Sequence, residues 1–193
     1  RTGTLLSPQG KALLDAAEEV LQASQRFSEI ARDLSEGEVV TYRLGIPPTL
    51  GPYLLPFVLP DLHKRKPGLR FYVREGAPNA LQHGLLRGEY DLILSPLSGE
   101  NSQLITQPLF KEPLKFVTPS DHKLSGKAYV KPKEISGEKV LTLEDRHHFH
   151  HQVQRICDEI GADLQRDYEG TSLDTLRQMV VMGMGVAFLP GLY

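Results

Sequence analysis

The sequence predicts an α/β protein with one long helix followed by two α/β lobes. Three observations carry this. Nothing between Gly10 and Leu34 breaks a helix, and apolar or small residues recur there at heptad spacing. From Val39 to Leu94, strand-like and helix-like stretches alternate, and from Val140 to Leu189 they alternate again. Such alternation implies right-handed crossovers and a largely parallel sheet.

Ser7-Pro8 opens the long helix, with serine as N-cap and proline at the first helical position. Leu13, Ala17, Val20, Ser24, Phe27, Ala31 and Leu34 follow at steps of four and three, an a/d seam held for about three heptads. Glu18, Glu19, Gln22, Gln25, Arg26 and Glu29 keep the other faces polar. A seam this regular points to a partner helix; docking on its own domain would favour a wider stripe. Ser24 weakens the seam, and Ser35-Glu36-Gly37-Glu38 ends the helix.

Val39 to Ile46 alternates as a strand and runs into Pro47-Pro48-Thr49. Tyr53 to Lys66 reads as a helix, which Pro56 and Pro60 bend unless they lie near its start. Leu69 to Arg74 is the next strand, Pro78 to Arg87 the next helix, and Leu92 to Leu94 a short buried strand ending in Ser95-Pro96-Leu97. Leu104 to Val117 is extended, with Pro108 and Pro113 in it, and Asp121 to Pro132 is a surface loop. Val140 to Leu143 is a strand leading to a helix crowded with histidines, which Asp145 caps. A short strand near Gln165 to Tyr168, a helix from Leu173 to Met182 and a strand from Val186 to Leu189 complete the chain. The boundaries expected are 1–36 for the helical segment, 37–112 for the first lobe and 113–193 for the second.

The chain carries 22 basic and 24 acidic residues, a net charge of -2, which argues against this piece wrapping nucleic acid by itself. One cysteine excludes an internal disulfide and suits a reducing cytosol. No apolar run is long enough to span a membrane, and no signal segment is present.

Ligands in α/β proteins bind beyond the carboxyl ends of the strands. That selects Pro48 and Thr49, Ser95, and Glu144 to His148, which includes His147 and His148. A fourth element, Gly170-Thr171-Ser172-Leu173-Asp174, offers a helix start whose free amides suit a small anion. Each is equally explained, taken singly, as a helix cap serving stability. His147 and His151 have metal-ligand spacing on a helix, but no cysteine pair or intervening glutamate completes a site, so no metal or cofactor is expected. No Gly-x-Ser-x-Gly, P-loop or Gly-x-Gly-x-x-Gly motif assigns a catalytic residue. Cys157 follows Ile156 in apolar surroundings, where an inert buried thiol is the default; Arg155 and the histidines would activate it only if it faced them.

Leu5-Leu6-Ser7-Pro8-Gln9-Gly10 before a heptad helix resembles the wing end and linker helix of LysR-type transcription regulators. Leu44-Gly45-Ile46-Pro47-Pro48-Thr49-Leu50-Gly51-Pro52-Tyr53-Leu54-Leu55-Pro56 resembles the opening of their effector-binding domain. Leu143-Glu144-Asp145-Arg146-His147, Gly161-Ala162-Asp163, Thr171 to Arg177 and Leu189-Pro190 resemble the OxyR-like branch in the same order. The resemblance covers essentially the whole chain. It implies two periplasmic-binding-protein-like lobes, dimers or tetramers on promoter DNA, a winged helix-turn-helix lying upstream of this chain, and a second lobe that continues past Tyr193. The function implied is the effector-binding and oligomerisation region of a cytoplasmic regulator that senses a small anionic ligand or a redox signal between its lobes.

The departures from that branch are specific. Alignment on Glu144-Asp145 places His148 where the peroxide-attacking cysteine belongs, while Cys157 matches its disulfide partner. His150 stands in place of an arginine and Pro78 in place of a peroxide-contacting threonine; Thr49 and His147 are kept. An intramolecular disulfide switch is therefore impossible, and the pattern is similar to the LsrB branch, where a single thiol senses oxidants by joining another subunit. A transport solute-binding protein shares the two-lobe layout and is the alternative.

Overall fold

The structure is a computed structural model that describes residues 5–35, 39–96, 102–145, 147–170 and 172–193. The chain divides into two compact units. Among the described residues, those within Arg1–Pro47 and Pro56–Thr106 form the first, and those within Pro48–Leu55 and Gln107–Tyr193 form the second.

Helix α1 spans Pro8–Ser35. Its start is as the sequence dictates: the Gly10 amide donates to Ser7 Oγ at 3.0 Å, so the serine satisfies an orphan donor of the first turn. Strand β1 (Val40–Ile46) is central in a parallel three-stranded sheet, flanked by β2 (Leu69–Glu75) and β3 (Leu92–Ile93). Helices α2 (Gly51–Arg65) and α3 (Pro78–Leu86) are the crossovers. Pro56 and Pro60 lie inside α2, not at its start, so the carbonyls of Pro52 and Pro56 lack helical donors. Leu44, Ile46 and Leu81 are buried here. Gly45 permits that packing, because a Cβ there would sit 2.9 Å from Leu81 Cδ2 and 3.0 Å from Ile93 Cγ2.

The second unit is largely parallel, as expected, with one antiparallel strand at its edge. Its sheet runs β4-β7-β5-β6, with β4 (Leu114–Val117) antiparallel to β7 (Val186–Pro190). Strands β5 (Lys139–Leu143) and β6 (Asp163–Gly170) are parallel to their neighbours. A register shift opposite Val140 and Thr142 makes β6 longer than the Gln165–Tyr168 segment expected. Within Leu104 to Val117 only β4 pairs, since its prolines remove ladder donors before it. A short helix α4 (Pro132–Ile135) begins at the last residue of the expected surface loop.

Two helices cover this sheet. Helix α5 (His148–Ile160) buries Phe149, Val153 and Cys157, one stripe at four-residue spacing. It ends at Gly161, whose left-handed φ of 69° lets its amide return to the Cys157 carbonyl. Helix α6 (Leu173–Val181) buries Leu173, Leu176 and Val180. These stripes meet Val140, Leu141 and Leu143 of β5 and Val186–Leu189 of β7 in one core. Asp145 does not cap α5. His147 occupies the N-cap position and makes no side-chain cap bond, because the Glu144-Asp145 turn delays the first helical residue to His148.

Candidate functional site

The second unit brings three candidate segments together. Strand β5 ends beside β6, with Leu143 paired to Gly170 and the Glu144 amide donating to the Gly170 carbonyl at 3.0 Å. The chain therefore enters α5 and α6 from neighbouring strand ends. At α5, His147 is half-buried with Nε2 3.9 Å from Glu144 Oε1, and His148 is exposed. At α6, Ser172 Oγ accepts from the Thr175 amide at 3.2 Å. Thr171 lies outside the described residues. No acidic residue stands in the first turn of α5, so its positive dipole end has no carboxylate of its own helix against it.

The third segment is Pro48–Leu55, which packs in the second unit although it follows β1. Pro48 and Thr49 form a half-buried turn there. Tyr53 anchors the segment: its hydroxyl lies 3.2 Å from Asp174 Oδ2, and its ring meets Tyr193 edge-on at 4.7 Å. Tyr193 donates to Asp174 Oδ1 at 2.8 Å and accepts from Arg177 Nε at 2.9 Å. Burial and the neighbouring Asp174 carboxylate push the Tyr193 phenol up, against a smaller opposing effect of Arg177. No sequence signal marked this cluster, since Tyr53 and Asp174 are 121 residues apart. Ser95 belongs to the first unit, just past β3, where the Leu94 amide donates to the Gly45 carbonyl.

His150 is structural. It is buried, and its Nδ1 lies 2.8 Å from the Leu143 carbonyl. A carbonyl only accepts, so Nδ1 carries the proton and ties the first turn of α5 to the end of β5. His151 is exposed on the same helix. Among the described residues no group of three His, Cys, Asp or Glu side chains is placed to hold a metal.

Cys157 is 1 % exposed, within the α5 core stripe. Burial, with a contribution from Asp158, pushes its thiol up to about 11. The thiolate is the reactive species, so at neutral pH roughly one molecule in ten thousand carries it. Neither Arg155 nor the histidines offset the burial.

The LysR substrate binding domain family matches residues 35–193. The chain belongs to that family. OxyR of Escherichia coli K12, a DNA-binding transcriptional dual regulator, is 36% identical over 188 residues, 97% of this chain and 62% of the relative. A mutant OxyR of Corynebacterium glutamicum superposes with a TM-score of 0.76 at 28% identity, covering 96% of this chain and 58% of that one. The reduced OxyR regulatory domain of Pseudomonas aeruginosa superposes with a TM-score of 0.69 at 32% identity, covering 80% and 74%. This LysR-family chain thus spans about 62% of the length of the curated relatives it matches.

Proposed function

We propose that this chain is the effector-sensing and self-association region of a cytoplasmic, DNA-binding transcription regulator and not an enzyme. Promoter contact belongs to residues outside the chain, since its net charge of -2 argues against this piece wrapping a duplex by itself. The functions of the relatives, a DNA-binding transcriptional regulator and a hydrogen peroxide-inducible genes activator, support the reading. No described helix is long and apolar enough to cross a membrane.

The signal is a small anion held in the second unit by Pro48, Thr49, His147, His148, Thr171 and Ser172, with Ser95 as a further candidate. The observation that carries this is the start of α5, where His147 makes no side-chain cap bond and two imidazoles stand at a strand end whose neighbour leads into the Ser172 turn. A thermal-shift screen with small carboxylates and phosphates tests it. A true effector at a hundred times its Kd stabilises by about 2.7 kcal/mol. His147→Ala and Ser172→Ala should each remove that shift. A shift that survives both variants would show that the anion binds elsewhere.

A second reading, a single-thiol redox sensor working through Cys157, is favoured by the peroxide-inducible relatives. The buried, protonated thiol weighs against it in the fold described. Intact-mass analysis after peroxide treatment of the native protein decides between the two: an added oxygen or a Cys157-linked dimer supports redox sensing.

A further inference from the structure

Helix α1 meets its own unit with its polar edge. Arg26 Nη2 donates to the Gly88 carbonyl at 2.6 Å. That carbonyl follows the C-cap Arg87 of α3, the end where a helix leaves its last carbonyls unpaired and carries partial negative charge. Asp91 stands close enough for Arg26 to act on its carboxyl electrostatically, although Arg43 is its main partner, at 2.8 Å. Gln22, one turn before Arg26, is half-buried, and its Oε1 is out of contact with water. Gly88 keeps the seat open: its φ is +76°, and a Cβ there would come within 2.0 Å of Arg26 Nη2.

The apolar seam lies on the other side of the helix. At 100° per residue, Val20 and Phe27 sit about 160° and 140° from Gln22. Both are largely exposed, at 68% and 74%. Docking driven by burial would have placed them inward. The contact rests instead on one guanidinium, a carbonyl and nearby charges, a kind of contact that is weak, directional and screened by salt.

We propose that Arg26 is a releasable latch: its guanidinium seats the polar edge of α1 on the acceptor end of α3, and unseating it frees α1 to change its angle to its own lobe. The latched state turns the seam away from the lobe. Asp91 lies within electrostatic reach of the guanidinium, and Arg43 holds that carboxylate in its own pair and keeps it from drawing Arg26 off the carbonyl. The inference goes beyond the proposed function and survives its failure, because it concerns contacts inside the first unit alone.

Spin labels on Ala12→Cys and Glu75→Cys, diluted with unlabelled protein so that only distances within one chain count, test the latch by double electron–electron resonance. Both positions are exposed, and the protein without added cysteines serves as the blank for Cys157. The full chain should give one narrow distance peak, lost in Arg26→Ala and in Gly88→Ala, and broadened at high salt. Lys11→Ala, which also removes a positive charge from α1, should retain the peak. A narrow peak in Arg26→Ala, a broad distribution in the parent chain, or equal broadening in Lys11→Ala would each overturn the latch.

Discussion

His150 Nδ1 lies 2.8 Å from the carbonyl oxygen of Leu143, so one buried side chain joins the end of β5 to the first turn of α5. This turn also carries His147 and His148, which makes His150 the support of the proposed anion seat. His150→Ala leaves the Leu143 carbonyl without its partner and opens space in a buried turn. Stability should fall by about 1–3 kcal/mol. His150→Asn, whose amide can reach the same carbonyl, should restore part of the loss. Urea unfolding of the three proteins at one pH measures both effects; equal loss in the two variants would mean that packing, not the hydrogen bond, is what His150 supplies.

Cys157 should behave as a core residue. With the thiol raised from 9.0 to about 11, Ellman's reagent at pH 8 should react only after the protein is unfolded. The pH dependence has a definite sign. The unfolded thiol loses its proton near 9 and the folded one near 11, so above pH 9 the unfolded state binds fewer protons. The stabilisation is present below pH 9 and is lost as pH rises toward 11. Cys157→Ser places a hydroxyl among Val153, Leu176 and their neighbours and should cost about 1–3 kcal/mol, while Cys157→Ala costs through lost packing. Rapid labelling of the native thiol at pH 8 would refute the buried position.

The alternation of strands and helices was legible because residue period and length both mark it, and Ser7-Pro8 set the start of α1 through capping chemistry alone. The Phe149, Val153, Cys157 stripe is an apolar run at four-residue spacing, interleaved with histidines that share its helix. Three features were not readable. Strand β4 pairs antiparallel with β7, a choice set by contacts between residues seventy or more apart in the chain. Asp145 looks like a cap, but it stands two residues before the N-cap His147, and the helix begins only at His148. Tyr53 and Asp174 meet only through tertiary packing, for which no local pattern exists.

The Tyr53–Asp174–Tyr193 cluster should fix the Pro48–Leu55 segment. Tyr53→Phe removes one hydroxyl and keeps the edge-on ring contact, so its stability cost should be small, about 0.5–1.5 kcal/mol. Its local effect should be larger: amides of Tyr53, Leu54 and Leu55 should exchange faster while those of β5 do not. Asp174→Asn takes away the carboxylate that, together with burial, holds the Tyr193 phenol up, so the Tyr193 titration should move down toward the ordinary value. Unchanged absorbance titration at 295 nm in Asp174→Asn would show that burial alone sets the Tyr193 phenol.

The seam of α1 gives the last prediction. Leu13, Ala17, Val20 and Phe27 are exposed along one face, and the side chain of Leu34 lies outside those described. Exposed large residues at heptad spacing cost solubility in a lone chain and stabilise a pair, since each buried side chain of this size contributes about 1.5–3 kcal/mol. Val20→Asp puts a charge at the middle of the seam and should weaken self-association at least tenfold, because one charge there opposes about 1.4 kcal/mol or more of pairing. Glu18→Asp, on a polar face, should leave it unchanged. Sedimentation velocity across a concentration series reads the difference. Equal association of the Val20→Asp variant and the parent would move the contact between copies away from α1.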